Sequence, residues 1–202
     1  MPTSAHHAVS RALADRLLGP GATRQDTLLA VGSASLMTCL ILVLAEKREL
    51  DWSPGQWALA SVLAFDLIGG VAVNASAPAR DYYFGAGRGA PHHIAFVALH
   101  AVHVVMFSWL FRGGDWIFAG ALSVGLIMAS GAVLATPVYM RRAAAMLLLT
   151  LGIVLVSAGA PTPGMEWFVP VLLTKLLACY LLGDVPASAR PTAMLRERGV
   201  RT

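Results

Sequence analysis

The stretch HHIAFVALHAVHVV, residues 92–105, decides how this chain is read. It is apolar enough for a membrane interior, yet it holds four of the chain's six histidines. A helix facing only lipid does not carry imidazoles, because ionisable side chains at membrane depth turn to a bundle interior or a wet cavity. His93, His100 and His103 therefore call for partners on other segments.

The rest of the chain is of the same kind. Of its 202 residues, 57% are hydrophobic and only 13% charged, with a mean hydropathy of +0.67. A soluble domain carries roughly 25% charge. The charges fall between six apolar runs, at 27–45, 57–77, 92–111, 116–139, 143–160 and 167–183. A helix crosses the bilayer core with about 20 apolar residues. The expected fold is all-α: a polytopic membrane protein whose residues 27–184 form one bundle of six transmembrane helices, with a basic tail at 185–202. Residues 1–26 precede it, and HAVSRALADRLLG within them suits a short amphipathic helix on the membrane surface. A cleaved signal peptide is not expected, since Arg11, Asp15, Arg16, Arg24 and Asp26 come before the first apolar run. Cys39 and Cys179 sit inside apolar runs and read as small hydrophobes.

The net charge of +4 does not point to nucleic acid, because the cations lie in the connections. With six spans, Arg11, Arg16, Arg24, Arg80, Arg88, Arg141, Arg142, Arg190, Arg196, Arg198 and Arg201 share one side, against Lys47, Arg48 and Arg112 on the other. Cytoplasmic loops carry the excess of Lys and Arg, so both termini are expected in the cytoplasm of a cell-membrane, bacterial inner-membrane protein. All five tryptophans fall at the outer interface so defined, and the tyrosines at or near the inner one, as amphipathic rings prefer.

Depth follows from the helical rise. Asp66 is nine residues from Trp57, His103 eight from Phe111 and Lys175 eight from Trp167, which places each about 12–14 Å below the outer surface of a core ~30 Å thick. His100 lies one turn deeper. Four ionisable groups from the second, third and sixth runs thus converge at mid-depth, where each costs ~2.5–3.5 kcal/mol unless satisfied. His93, His100 and His103 fall within an arc of about 80° on one helix face. Asp66 and Asn74, eight residues apart, also share a face, with Gly69 and Gly70 between them allowing close approach of another backbone. We therefore expect the second and third runs to pack together, Asp66 near His100 and His103 in a dry pocket. Ala121, Gly125 and Ala129 make the fourth run a packing helix, and the fifth run reads as scaffold. The inner loop PARDYYFGAGRGAP offers Arg80, Tyr83 and Arg88 to an anionic headgroup at the cytoplasmic mouth.

Three chemistries were weighed against these residues. A divalent metal has a place only at Asp66, His100 and His103, and the spacing is not that of H-E-x-x-H; no cofactor is expected. Acid–base work fits better. Asp66 would act as acid, His100 and His103 would orient it or serve as base, and Lys175 would tune the charge. Asn74 and His93 would hold substrate beside the loop residues. Protonation-initiated cyclisation of an isoprenoid is one concrete example. The alternative class is a proton-coupled small-molecule transporter or channel using the same residues as a relay, against which stands the lack of an internal repeat. The implied partners are a hydrophobic small-molecule substrate and membrane lipid, and a homodimer is compatible with both classes.

FDLIGGVAVNAS followed by HHIAFVALHAVHVV resembles small six-span bacterial integral membrane proteins, most of unassigned function. The shared pattern is F-D-x-x-G-G-x-x-x-N and then H-x6-H-x-x-H. The resemblance covers about a fifth of the chain and implies that Asp66, Asn74, His93, His100 and His103 act together. It names no substrate, and Lys175 lies outside it.

Overall fold

The structure is a computed structural model that describes residues 18–85 and 87–183. The surface helix expected within 1–26 lies largely outside the described residues, as do the basic tail and Arg11, Arg16, Arg190, Arg196, Arg198 and Arg201. Among the described residues the chain is helical throughout, with no strand. In order come α1 (Arg24–Lys47), α2 (Pro54–Ala75), a short α3 (Ala77–Tyr83), α4 (Ala90–Leu99), α5 (Ala101–Phe111), α6 (Trp116–Ala135), α7 (Val138–Ser157) and α8 (Phe168–Leu173). The last continues as a π-helical segment, Thr174–Tyr180.

Among the described residues, five helices are long and apolar enough to cross a membrane: α1, α2, the combined run Ala90–Phe111, α6 and α7. The last apolar segment, Phe168–Tyr180, is shorter. At ~1.5 Å per residue it reaches about 20 Å, short of the ~30 Å core.

Local chemistry sets the helix ends. Thr23 Oγ1 accepts the Asp26 N–H while the Asp26 carboxylate accepts the Thr23 N–H, at 3.2 and 2.8 Å. Ser53 and Gln56 repeat this at the start of α2, with Pro54 in the first turn. These T-x-x-D and S-x-x-Q capping boxes satisfy backbone donors that the first turn leaves open. Between α5 and α6 the chain reverses through Gly113 and Gly114, both left-handed at φ 62° and 81°, a conformation glycine adopts without steric cost. Asp115 then caps α6 by accepting the Phe118 N–H at 2.9 Å. Arg141 donates to the Thr136 and Leu134 carbonyls, closing the far end of α6.

The connections gather at two ends. At one, Gly19 abuts Pro78 and Gly183 abuts Phe84. At the other, Arg48 pairs with Glu166 at 2.9 Å, Arg112 donates to Thr162 Oγ1 at 2.9 Å, and Gln56 donates to the Leu110 carbonyl at 2.9 Å. Trp52 packs edge-on against Trp57 and Phe111 at this second end. The core runs between them, with Leu63 and Leu67 of α2, Phe107 of α5, and Phe168, Leu172 and Leu176 of the last segment fully buried. Phe107 and Phe168 stack at 4.3 Å.

Two packing expectations change. Gly69 and Gly70 do not serve the contact between the second and third runs. Gly69 faces α1, where the Ala34 methyl stands 3.3 Å from the place a Cβ would take, and Gly70 faces the Lys175 side chain. The principal partners of α2 are α1 and the π-helical segment. On α6, buried Leu126, Ser130 and Val133 do the packing against the rest of the chain, whereas Ala121, Gly125 and Ala129 line an open cavity. Helix α7 is peripheral, with Ala145 its one buried residue.

Candidate functional site

The residues that come together are Asp66, His103 and Lys175. Lys175 Nζ donates to Asp66 Oδ2 at 2.7 Å and also reaches the Asp66 carbonyl at 3.4 Å. His103 Nε2 stands 3.3 Å from the same Oδ2. Each position has a local cause. Lys175 crosses the face of α2 over Gly70, where any side chain would occupy the space of its Cδ, Cε and Nζ. Lys175 itself sits in the π-helical segment, whose wider turns are marked by the Leu181 N–H donating to the Leu176 carbonyl at 3.0 Å; such turns occur often at functional sites.

His100 has a different task. The third run is not one continuous helix; it breaks at His100 into α4 and α5. The His100 N–H bonds the Val97 carbonyl instead of the Phe96 carbonyl, and the His100 ring takes the vacated place, Nδ1 to Phe96 O at 2.9 Å. A carbonyl only accepts, so Nδ1 is the donor, and in the neutral ring Nε2 is then the bare nitrogen. The ring stacks on His103 at 5.1 Å between centroids. His100 thus joins Asp66 through His103, not by direct contact.

His93 belongs to another group. Its Nδ1 is 3.0 Å from the Tyr180 hydroxyl, and its ring stacks on Phe84 at 4.2 Å. Tyr180 stacks in turn on Phe96 at 4.1 Å, and Phe96 packs against His100 at 4.9 Å. Aromatic rings therefore run without a gap from the α3–α4 connection to His103. The helix break separates His93 from the two histidines with which it shares an idealised face. Tyr180 was not singled out by its sequence; the signal available was its place at the inner interface, five residues past Lys175.

The remaining residues are scattered. Asn74 is buried, and its Nδ2 has no hydrogen-bond partner; it does not bond Asp66. His103 Nδ1 is likewise buried and unpartnered. Arg88 lies over the Tyr82 ring at 4.0 Å, with Tyr83 at 6.0 Å, while Arg80 is exposed. Among the described residues, no group of three or more His, Cys, Asp or Glu is placed to hold a metal ion. One oxygen of Asp66 already serves both Lys175 and His103.

The expectation of an enclosed pocket is also corrected. The Asp66 side chain is 45% exposed, while those of Lys175 and His103 are 5% and 24% exposed. The carboxylate therefore opens sideways on the flank of α2, beside exposed Val62 and Phe65. A cavity of about 670 Å³ lies between α6, α7 and α8, and none of Asp66, His100, His103 and Lys175 lines it. Comparison with family models, with curated proteins and with solved structures gives no match, so the site is read from its own geometry.

Proposed function

We propose that this chain is a six-span cell-membrane protein, both termini cytoplasmic, that carries out acid–base chemistry on a lipid-like or isoprenoid substrate entering from the side. The observation that carries this reading is the Lys175–Asp66–His103 set, whose members are mostly covered except for the shared carboxylate. Three titratable groups on one oxygen can pass a proton without its leaving the set. A half-uncovered carboxylate on a flank beside exposed apolar residues is within reach of a molecule already dissolved in the bilayer. Asp66 and His103 would touch the substrate. Lys175 and His100 would position them, and Asn74 would offer its unpartnered amide.

Proteoliposomes made from a total lipid extract, in water enriched in deuterium and oxygen-18, test this. The expected result is a lipid species labelled at carbon or by solvent oxygen with the wild type and absent with His103→Ala. No labelled species from any extract would overturn the reading. A second reading, a proton-coupled carrier, is favoured by titratable groups at two levels, His93 with Tyr180 and His103 with Asp66. Proton flux driven by a substrate gradient, without chemical change, would select it.

A further inference from the structure

A cavity of about 670 Å³ lies behind the π-helical segment. Its volume is within the ~300–1,000 Å³ of ordinary ligand pockets. Helices α6 and α7 are joined tightly through Thr136 and Pro137, so they part toward their other ends, and the cavity fills the parted half. Leu126, Leu155, Leu173 and Leu177 supply apolar walls, and Ala121 and Gly125 leave them open, with no atom within 4 Å of a Cβ built at Gly125. The mouth is polar. Arg112 and Glu166 both line it, Arg112 held by Asp115 and Thr162 and Glu166 by Arg48. It therefore presents one fixed guanidinium and one fixed carboxylate at the end where the tryptophans gather. From there to Leu177 is ten residues past Trp167, about 15 Å of helix and so about half the ~30 Å hydrocarbon core.

We propose that this cavity holds one hydrocarbon chain of a zwitterionic glycerophospholipid, with the head group at the Arg112–Glu166 mouth. The depth matches a chain of a single leaflet. Arg112 and Glu166 are each already paired, with Asp115 and Arg48, so the mouth is fixed and neutral; a zwitterionic head group keeps it so, whereas a purely anionic one, or a free fatty acid, adds an unbalanced charge. None of the Asp66 set lines the cavity, so this site stands apart from the proposed chemistry.

The test uses the full chain in mild detergent with equal amounts of a phosphatidylethanolamine and a phosphatidylglycerol of identical chains, read by native mass spectrometry. The wild type is expected to retain one phosphatidylethanolamine per chain in preference to the anionic lipid. Gly125→Leu, whose side chain enters open space, is expected to retain about tenfold less at an unchanged melting temperature. Glu166→Gln is expected to keep a lipid but lose the head-group preference. Should Gly125→Leu fail to fold, Ala121→Leu carries the same expectation from the same wall. No retained lipid in the wild type, equal retention by the filled variants, or loss of a second copy of the chain instead of a lipid would overturn the proposal.

Discussion

Asp66 Oδ2 is shared by a lysine at 2.7 Å and a histidine at 3.3 Å, and the asymmetry of their burial predicts how the site fails. Replacing Asp66 by Asn leaves Lys175 covered and without a counter-ion. Breaking such a pair from one side costs about 3 kcal/mol, whereas removing both charges together costs much less. Asp66→Asn should therefore melt well below the wild type in detergent, and Asp66→Asn with Lys175→Met should recover most of the difference; equal melting of the two would show that the pair is not coupled. Gly70→Ala supplies the gentler probe. Its methyl needs the space of the Lys175 arm, a flexible side chain that can move, so labelling activity should fall, with a loss of melting temperature smaller than that of Asp66→Asn. At this scale the sequence was legible where depth alone decides, as for Asp66, His103 and Lys175. It was not legible for His93 or Asn74, because which side of a helix a residue faces depends on a break and a neighbour that spacing does not reveal.

The helix ends carry local signals that counting apolar runs does not use. T-x-x-D at Thr23 and S-x-x-Q at Ser53 mark α1 and α2, and D-W at Asp115 marks α6. The Asp115 carboxyl is held below its ordinary range first by the Phe118 N–H and then by Arg112. A group lowered in the folded state gives stability that is present above its unfolded value and is lost as pH falls through the folded one. Thermal melting should thus be level from pH 7 to about 5 and decline below about pH 4, with Asp115→Asn removing part of that decline; a variant that declines as steeply as the wild type would exclude the cap as its source. The break at His100 was not legible, because 92–111 is uniformly apolar between its histidines. There the imidazole takes a backbone carbonyl from the helix. His100→Leu returns that acceptor to the backbone, so hydrogen exchange at the amide of residue 100 should slow. Exchange at the wild-type rate would mean that the chain bends there for another reason.

The molecule as a whole has two chemically distinct ends, one with Arg48–Glu166, Arg112 and the indoles, the other with Arg80, Arg88 and Arg141. The separation of tryptophan from most arginine along the sequence matches these two ends, whereas the count of six apolar runs exceeds the five helices long enough to span. Lateral exposure of Asp66 was not, since hydropathy gives depth but not azimuth. Single cysteines at Asp51→Cys and Asp81→Cys, in a chain with Cys39→Ala and Cys179→Ala, should react oppositely with an impermeant maleimide in intact cells. Asp51→Cys is expected to label from outside and Asp81→Cys only after permeabilisation; the reverse pattern would invert the proposed orientation.

The swollen coil at Thr174–Tyr180 sets a phase as well as a position. In a regular α-helix, residues five apart diverge by about 140° around the axis. The wider i→i+5 turns reduce that angle, and in this setting one rod presents an ammonium to α2 and a phenol to α4. Deleting one residue between them would leave the segment just as oily and just as helical, yet able to keep only one of those two appointments.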